Sequence, residues 1–304
     1  MTIDILMPFW GRFDHFRAAV ESVLAQRDGD WRLTIIDDRY PDAEPGEWAR
    51  SIDDSRVRFV RNEQNLGPSR NYNKAVGLAT SEHVVIMGCD DLMAPDYIAH
   101  VTDLLLRFPD ADVVQPGVSV IDENGDAAIP LPDRVKSWYR LPAAGGREYR
   151  GEEIARSLLR GNWTYFPSLV WRRARLTDGF RTDLDVVQDL AKLFQIIAEG
   201  GALVVDDDPV FFYRRHSGSV SAKTGVDGSK FAQERTLFRE AEARSRELGW
   251  SGAARAARWH LSSRLSALTQ LPRALRQRDG GGRRVLGRHV FGGLGATSAS
   301  RLPD

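Results

Sequence analysis

The sequence lacks the features that would place the protein in an oxidising compartment or across a membrane. Among 304 residues there is one cysteine, Cys89, which excludes an internal disulfide and a cysteine-rich zinc site. The first residues carry no basic stretch, and Pro8 interrupts their apolar run, so they do not form a signal peptide. No run of about 18 apolar residues occurs, so a membrane-spanning helix is not expected. We therefore expect a cytoplasmic protein.

Charge is balanced over the whole chain but not along it. The chain has 42 basic and 42 acidic residues, yet residues 251–304 hold ten Arg and no Lys against two Asp and no Glu. That segment carries +8 and residues 1–250 carry −8. A basic end on an acidic body indicates a surface for anionic lipid or a polyanionic substrate, and the alternative is a solvated tail. Few aromatics accompany its charges, so no nucleic-acid partner is expected.

Short β-rich segments alternate with helical patterns through the first half of the chain. Apolar residues recur at helical spacing from Phe16 to Leu24, and Ser69 is a suitable N-cap for a later helix. The predicted strands are 3–7, 33–36, 57–60, 83–87 and 112–115. This order predicts an α/β fold with a mixed, mostly parallel sheet, flanked by helices, whose ligands gather at the carboxyl ends of the strands.

The second half of the chain is less regular. Residues 121–150 are rich in Gly, Pro and charge, which predicts a loop that crosses to the acceptor side. The elements predicted beyond it are a helix at 152–159, a strand at 166–171, a helix at 186–198, strands at 202–205 and 210–213, and a helix at 230–247. A further helical pattern runs from Trp259 until Pro272 stops it, and little fixed structure is expected after Asp279.

These patterns divide the chain into three regions. An enzyme-like domain spans 1–225, with a donor half at 1–120 and an acceptor half at 121–225. A helical region follows at 226–278, and a basic tail occupies 279–304.

Acidic pairs follow two of the predicted strands. They are Asp37-Asp38 and Asp90-Asp91, and both face the edge where the strands end. Carboxylates there suit ribose hydroxyls, a base N–H group or a hard divalent cation beside a diphosphate. Taken alone, either pair is more often a helix cap or a turn.

Arg70, Asn73 and Lys74 lie at positions i, i+3 and i+4 near the start of a predicted helix. All three project from one side, close to the positive end of the helix dipole, which favours a phosphate or a base. The alternative is a solvated polar face.

The order of these motifs resembles glycosyltransferase family 2 over about residues 1–220. The first strand ends in proline, an Asp-Asp pair follows the second, and Gly88-Cys89-Asp90-Asp91 stands where the family has Asp-x-Asp-Asp. The other matching segments are Ser22-Val23-Leu24-Ala25-Gln26, residues 65–73 from Asn65-Leu66-Gly67 to Asn73, and residues 214–221 from Arg214-Arg215-His216 to Ser221. The resemblance implies a GT-A fold and inverting transfer of a sugar from a nucleotide sugar, with UDP as the default nucleotide.

The resemblance also implies donor-binding roles. Asp38 would hold the nucleobase in a pocket lined by Pro8, Arg70 would contact the base or the diphosphate, and Asp90 would bind ribose.

A divalent metal, Mn²⁺ or Mg²⁺, is implied at the diphosphate. Asp91 and His216 would be its ligands. Because Gly88 replaces the first aspartate of the motif, the choice between Asp90 and Asp91 as metal ligand stays open.

Asp189 is the predicted general base. The segment Asp185-Val186-Val187-Gln188-Asp189 resembles the family's Glu-Asp motif, with Gln188 in place of Glu. A carboxylate beside apolar neighbours keeps a pKa suited to taking a proton from an acceptor hydroxyl, and the alternative is an aspartate favoured by the helix dipole. Trp163 is predicted to stack on an acceptor sugar, with core packing as its alternative.

Two other functions stay open on the sequence alone. A sugar nucleotidyltransferase needs a glycine-rich phosphate loop, which residues 8–12 are not, and a non-catalytic nucleotide-binding family member is kept open by Gly88 and Gln188. A dehydrogenase is disfavoured, since no Gly-x-Gly-x-x-Gly follows the first strand.

The expected partners are a nucleotide-sugar donor and a saccharide, lipid-linked or small-molecule acceptor in polysaccharide or glycoconjugate biosynthesis. Peripheral contact with the inner face of the membrane through the basic tail is a further expectation.

Overall fold

The computed structural model describes residues 1–128, 130–216, 228–276 and 280–292. The strands are β1 Ile3–Phe9, β2 Trp31–Asp37, β3 Val57–Arg61, β4 His83–Ile86, β5 Leu92–Met93, β6 Val113–Ile121, β7 Arg147–Tyr149, β8 Val170–Arg172 and β9 Leu203–Arg214. The helices are α1 Phe13–Leu24, α2 Glu44–Arg50, α3 Pro68–Leu78, α4 Tyr97–Arg107, α5 Leu131–Ser137, α6 Gly151–Arg160, α7 Gln188–Ala198, α8 Ser229–Glu247, α9 Ser251–Trp259, α10 Leu261–Arg276 and α11 Gly280–Phe291.

One mixed sheet runs through the described part of the chain in the order β3-β2-β1-β4-β8-β6-β9. β1 pairs in parallel with β2 and β4, and β2 pairs in parallel with β3. β8 is antiparallel to both β4 and β6, whereas β6 and β9 are parallel. β5 and β7 pair antiparallel with opposite ends of β9. The predicted α/β fold with a central, mostly parallel sheet is confirmed.

Both faces of the sheet are buried, because side chains alternate along each strand. In β1, Ile5 and Met7 pack with α1 and α4 on one face, whereas Leu6 packs on the other face with α3, α6 and α7. The core on the Leu6 side of the sheet continues into α8 and α9 through residues such as Phe238 and Ala253. The C-terminal helices therefore rest on the same face of the sheet as α7.

The segment 121–150 is more regular than the predicted loop. β6 continues to Ile121, and the segment also contains α5 and β7. Its strands form because β9 offers them a partner, which is a contact that local composition does not reveal. The predicted strand at 166–171 is a 3₁₀ turn, Phe166–Ser168, followed by β8.

A single long strand, β9, replaces the two strands predicted at 202–205 and 210–213. Its register with β6 is irregular around Gly117. A Cβ atom at Gly117 would lie 2.3 Å from the carbonyl oxygen of Asp208, so the close approach of the two backbones requires glycine there. This irregularity carries the strand past Pro209 to its end at Arg214.

Two expectations about the C-terminal helices were wrong. Pro272 does not end its helix, since α10 continues through it to Arg276. Proline removes one backbone hydrogen bond, and the packing of α10 on α8 and α11 supports the helix at this position. The Gly280-Gly281-Gly282 segment begins α11, whose Leu286 packs against Phe231 and Ala267, so the expectation of little fixed structure was wrong for residues 280–292. Residues 293–304 of the predicted tail lie outside the described residues. In the described ranges no helix is both long enough and apolar enough to cross a membrane.

Candidate active site

The carboxyl ends of β1, β2 and β4 meet at one edge of the sheet. The Asp38 N–H donates to the Phe9 carbonyl oxygen at 3.1 Å, and a Cβ atom at Gly11 would lie 3.3 Å from the Cys89 sulfur. Pro8 is half-buried in β1 beside Ile36 of β2. The predicted donor-site residues of these three strands are therefore brought together.

Asp38 anchors the loop that precedes α3. Its Oδ1 accepts from the Leu66 N–H at 2.8 Å and from Asn62 Nδ2 at 2.7 Å, and its Oδ2 accepts from the Gly67 N–H at 3.0 Å. Asn65 Nδ2 also donates to the Asp38 carbonyl oxygen. Both carboxylate oxygens thus hold the start of α3 in place, a role that the sequence analysis did not assign to this aspartate.

α3 presents cations beside this edge. Arg70 is exposed in its first turn and Lys74 is half-buried one turn later, and neither makes an ion pair with a described residue. Asn73, predicted to face a ligand with them, instead donates to the Phe180 carbonyl oxygen at 2.9 Å and accepts from the Phe180 N–H. The ligand-facing role of Asn73 is therefore corrected, because its amide is already bonded on both sides.

Asp90 and His216 form a pair. His216 Nε2 lies 2.7 Å from Asp90 Oδ2, and the Asp90 side chain is partly exposed. The His216 ring packs edge-on against His15 of α1, and His15 Nε2 lies 3.1 Å from the Glu123 carbonyl oxygen. His15 could not be predicted from the sequence, because a histidine inside an amphipathic helix carries no motif. Residues 217–221 of the predicted motif lie outside the described residues.

The side chain of Asp91 is buried, unlike that of Asp90. Its side chain is 1% exposed, and its Oδ1 accepts from the Arg214 N–H at 2.8 Å, whereas its Oδ2 is buried and has no hydrogen-bond partner among the residues that the structure describes. Burial and the charge of Asp90 raise the pKa of Asp91 well above its usual range. A Cβ atom at Gly88 would lie 2.4 Å from Asp91 Oδ2, so this conformation depends on glycine at position 88.

The structure therefore joins His216 to Asp90 and not to Asp91. The Asp90 carboxylate is a ligand that Mn²⁺ and Mg²⁺ both accept, and the His216 imidazole suits Mn²⁺. Asp91 Oδ2, which has no partner among the described residues, is a further oxygen on the adjacent residue. This donor set fits a divalent cation, with Asp90 as the accessible carboxylate. Asp90 and Asp91 both remain candidate metal ligands, and they differ in exposure.

A separate group of metal-ligand type lies elsewhere on the sheet. His100, Asp206 and Asp208 place one candidate ligand atom each within 4.8 Å of the others, the one such group of three in the ranges described. His100 Nε2 lies 2.8 Å from Asp206 Oδ2, which also accepts from the Asp208 N–H. His100 lies on α4, and the two aspartates lie in the irregular part of β9, where Asp208 is six residues before the end of the strand at Arg214.

Asp189 is buried at the start of α7. Its Oδ2 accepts from Asn162 Nδ2 at 3.0 Å. Burial raises the pKa of Asp189, and the hydrogen bonds from Leu190 and Asn162 oppose that rise only in part. The environment matches the predicted one, a carboxylate among apolar neighbours that stays a better base than an exposed aspartate.

Tyr72 of α3 lies close enough to Asp90 and Asp189 for the charges of both to act on its hydroxyl. Burial raises the pKa of Tyr72, with further contributions from Cys89, Asp90 and Asp189. The ring packs against Phe166, with centroids 5.2 Å apart. Tyr72 stood within the Asn65–Asn73 motif, but the sequence analysis assigned it no role.

A second polar cluster borders the site from α5. Asp133 accepts from Arg215 Nη2 at 2.8 Å and from the Tyr165 hydroxyl at 2.9 Å. Lys136 Nζ donates to the Thr164 carbonyl oxygen at 3.1 Å, and burial with the charge of Arg215 lowers the pKa of Lys136 to about 8. Sequence reasoning missed this cluster because no motif marks the segment 121–150.

Trp163 belongs to the core. Its side chain is 2% exposed, and its Nε1 donates to Ser157 Oγ of α6 at 2.9 Å. The predicted stacking on an acceptor sugar is corrected, because the indole has no exposed face and its polar atom is already bonded.

The chain is similar in sequence to known glycosyltransferases. A model of the family described as Glycosyl transferase family 2 matches residues 4–169, more than half of the chain. The succinoglycan biosynthesis protein ExoO of Rhizobium meliloti is 25% identical over 235 residues, which cover 74% of this chain and 64% of that protein. The chain covers 12% and 50% of the length of two further relatives. It thus spans less than two thirds of these relatives.

Two solved structures share the fold. S. aureus TarS 1–349 in complex with UDP-GlcNAc superposes with a TM-score of 0.63 at 15% identity, over 95% of this chain and 91% of that chain. The mannosyltransferase PcManGT from Pyrobaculum calidifontis, in complex with GDP-Man and Mn²⁺, has a TM-score of 0.61 at 15% identity, over 94% of this chain and 78% of that chain. The GT-A fold expected from the sequence is therefore confirmed.

Proposed function

Because the chain belongs to glycosyl transferase family 2, we propose that it transfers a sugar from a nucleotide sugar to an acceptor hydroxyl with inversion. One observation carries the proposal: Asp90, which follows β4, and the buried Asp189 both lie close enough to Tyr72 for their charges to act on its hydroxyl. UDP is the first nucleotide to test, since TarS is described in complex with UDP-GlcNAc, and GDP follows from the GDP-Man complex of PcManGT.

The donor occupies the edge formed by β1, β2 and β4. Pro8 lines the base pocket. Asp38 is 3% exposed and bonded through both carboxylate oxygens, so it shapes that pocket by holding the start of α3 and does not contact the base directly. Asp90 binds ribose or the cation. Arg70 and Lys74, which pair with no acidic side chain in the described ranges, face the diphosphate near the positive end of α3. These cations stabilise the charge that grows on the leaving diphosphate.

Asp189 acts on the acceptor. It takes the proton of the acceptor hydroxyl, whose oxygen forms a bond to the anomeric carbon while the bond from that carbon to the diphosphate oxygen breaks. The electron pair of the broken bond leaves with the nucleoside diphosphate, and this single displacement inverts the anomeric configuration. Asn162 holds one oxygen of the base, and a positioned base contributes about 10²–10⁴-fold to the rate.

A divalent cation, when bound, neutralises charge on the diphosphate. Asp90 and His216 are the residues that would hold it, with Asp91 as the third candidate. Mn²⁺ is the first ion to test, because the PcManGT complex contains it.

The test combines binding with turnover. Calorimetry of the full chain with UDP and GDP, with and without Mn²⁺, should show metal-dependent binding of one nucleotide, and Asp90→Asn should weaken it. Asp189→Asn should bind that nucleotide as the parent does while losing donor turnover by about 10²-fold or more.

Three outcomes would contradict the proposal. Absence of nucleotide binding in every condition removes the donor site. Equal turnover by Asp189→Asn and the parent removes the assigned base. A parent that binds nucleotide but turns over no donor with any acceptor supports the non-catalytic alternative instead.

A further inference from the structure

Exposed apolar side chains concentrate on one part of the molecule. In the described residues nine large apolar side chains are exposed, and three of these, Met1, Trp10 and Leu106, lie elsewhere. The other six belong to α9, α10 and the ends of α5 and α11, namely Trp138, Trp259, Leu261, Leu265, Leu268 and Phe291. Single exposed apolar residues are normal on a protein surface, whereas such a concentration marks an interaction site.

The leucines form one face of α10. Leu261, Leu265 and Leu268 lie at positions i, i+4 and i+7, which share a side of a helix. The opposite side packs inward through small residues, with Ser263 and Ala267 buried against α8 and α11. α10 thus turns its large apolar side chains outward, and these three residues are called the leucine face below.

Phe291 lies close to the leucine face. Arg264 of α10 donates from Nη1 to the Val290 carbonyl oxygen at 3.0 Å and from Nη2 to the Gly292 carbonyl oxygen at 2.8 Å. These two bonds fix the end of α11, and with it Phe291, beside the first turn of α10.

Exposed arginines lie on the helix that precedes α10 and on the helix that packs against it. Residues 251–304 contain ten Arg against two Asp. Arg255 and Arg258 are exposed on α9, and Arg288 is exposed on α11. An apolar stripe with tryptophan and arginines at its border is the pattern of a helix that lies in the surface of an anionic bilayer. A second copy of the same face would bring like charges together, so charge favours lipid over self-association.

The leucine face adjoins the acceptor side of the candidate site. Ser262 Oγ of α10 donates to the Arg160 carbonyl oxygen, and it lies 3.3 Å from where a Cβ atom of Gly161 would be. The next residue, Asn162, is the one that holds Asp189. A Cβ atom of Gly161 would also lie 2.7 Å from Tyr139 Cδ2. The exposed Trp138 directly precedes Tyr139 in the chain.

We propose that the leucine face, with Trp259 and the exposed arginines of α9 and α11, docks the protein on an anionic lipid bilayer. The leucines and Trp259 enter the boundary between headgroups and acyl chains, and the arginines contact the anionic headgroups. Docking in this orientation turns the acceptor side toward the lipid and suits a lipid-linked acceptor. That consequence rests on the proposed function, whereas the docking itself does not.

Vesicle co-sedimentation of the full chain tests the docking. The parent should bind vesicles of phosphatidylcholine with phosphatidylglycerol, bind pure phosphatidylcholine vesicles less, and lose affinity as salt rises. The double variant Leu265→Ser/Leu268→Ser should lose about tenfold or more in affinity, because two buried side chains are removed from the contact. Leu106→Ser is the matched control, since Leu106 is 67% exposed on α4 and should keep parental binding.

Quenching by brominated phosphatidylcholine tests the orientation. The fluorescence of the parent on vesicles should be quenched, and Trp259→Phe should remove a large part of that quenching. Trp10→Phe should leave it unchanged, because Trp10 is equally exposed but lies at the end of β1 on the donor side. Equal quenching losses in both variants would overturn the orientation.

Other outcomes overturn the docking itself. These are a parent that binds none of the vesicles, a double variant that binds as the parent does, or a parent dimer that the double variant converts to a monomer without any vesicle binding. Nucleotide calorimetry in solution separates the two proposals, because the leucine variants should bind nucleotide as the parent does. Failure of docking leaves nucleotide binding intact, and failure of nucleotide binding leaves the vesicle result intact.

Discussion

At the scale of single residues, the two aspartates after β4 have opposite environments. Asp90 is partly exposed and pairs with His216. Asp91 is buried, with one carboxylate oxygen bonded to the Arg214 N–H and the other without a partner in the part of the chain that the structure describes. Adjacent identical residues thus differ because the backbone turns one side chain out and one in. Gly88 explains this difference locally, because the Asp91 carboxylate occupies the space that a side chain at position 88 would fill.

Substitution of Gly88 by alanine should therefore destabilise the fold. The new methyl group would lie 2.4 Å from Asp91 Oδ2, so Asp91 must move and the buried Arg214 N–H loses its acceptor. Urea denaturation should show a loss of about 1–3 kcal/mol in the free energy of unfolding. Gly77→Ala is the control, since its Cβ would meet nothing within 4 Å in α3 and should stabilise by about 0.5–1 kcal/mol. Equal effects of the two substitutions would count against the inward position of Asp91.

Asn162 positions the assigned base and tunes its charge. Its Nδ2 bond to Asp189 Oδ2 favours the carboxylate form and so opposes the effect of burial on the pKa of Asp189. Asn162→Ala should raise the pKa of Asp189 further, so the acid limb of the pH profile of kcat/KM should move to higher pH. A variant whose rate falls without any movement of that limb would show a role in packing only. Asn162→Gln tests the same bond with the amide retained at a different length, and partial return of the limb is expected.

At the scale of elements, hydrophobic periodicity predicted the donor half well. β1 to β4 were predicted within two residues because parallel strands buried on both faces consist of short apolar runs between turns. Because ligands gather at the carboxyl ends of parallel strands, the same pattern also predicts that Pro8, Asp38 and Asp90 lie at one edge of the sheet. The signals in this half are local, so the sequence carries them.

The acceptor half was predicted less well, because its elements depend on partners distant in sequence. β7 is three residues long and exists through its pairing with β9, more than 50 residues later. Trp163 looked like a ligand contact, but its environment is set by α6 and the core beneath it. The inward turn of Asp91 and the contact of His15 with His216 likewise depend on packing between separate segments.

At the scale of the whole molecule, the C-terminal helices are attached to the part of the chain that carries Asp189. Gln233 Oε1 of α8 accepts from the Val186 N–H at 3.0 Å, three residues before Asp189, and Glu240 of α8 pairs with Arg181. Glu152 of α6 accepts from the Ala253 N–H at the start of α9. A change in the packing of these helices should therefore reach both the base and the leucine face.

Buried titratable groups lie where α8, α10 and α11 pack together. Ser263 Oγ of α10 donates to Glu234 of α8 and lies 2.6 Å from His289 Nε2 of α11. The His260 ring stacks on Phe238, with centroids 4.9 Å apart. Burial lowers the pKa of His289 to about 3 and that of His260 to about 4, with Arg235 and Arg264 adding to both effects, whereas burial raises the pKa of Glu234.

The helices should therefore loosen in acid. Both histidines have a lower pKa in the folded chain than the value of about 6.5 in the unfolded chain, so stability is complete above that pH and falls as the pH drops below it. At pH 5 each histidine should cost about 2 kcal/mol, and Glu234 offsets part of this because protonation favours its folded form. Urea denaturation of the parent and of His289→Gln at pH 7 and pH 5 measures the effect. The variant should lose less stability between the two pH values than the parent does, whatever its stability at pH 7. Identical losses would show that His289 does not stay neutral in the folded protein, and that the acid sensitivity of the C-terminal helices has another source.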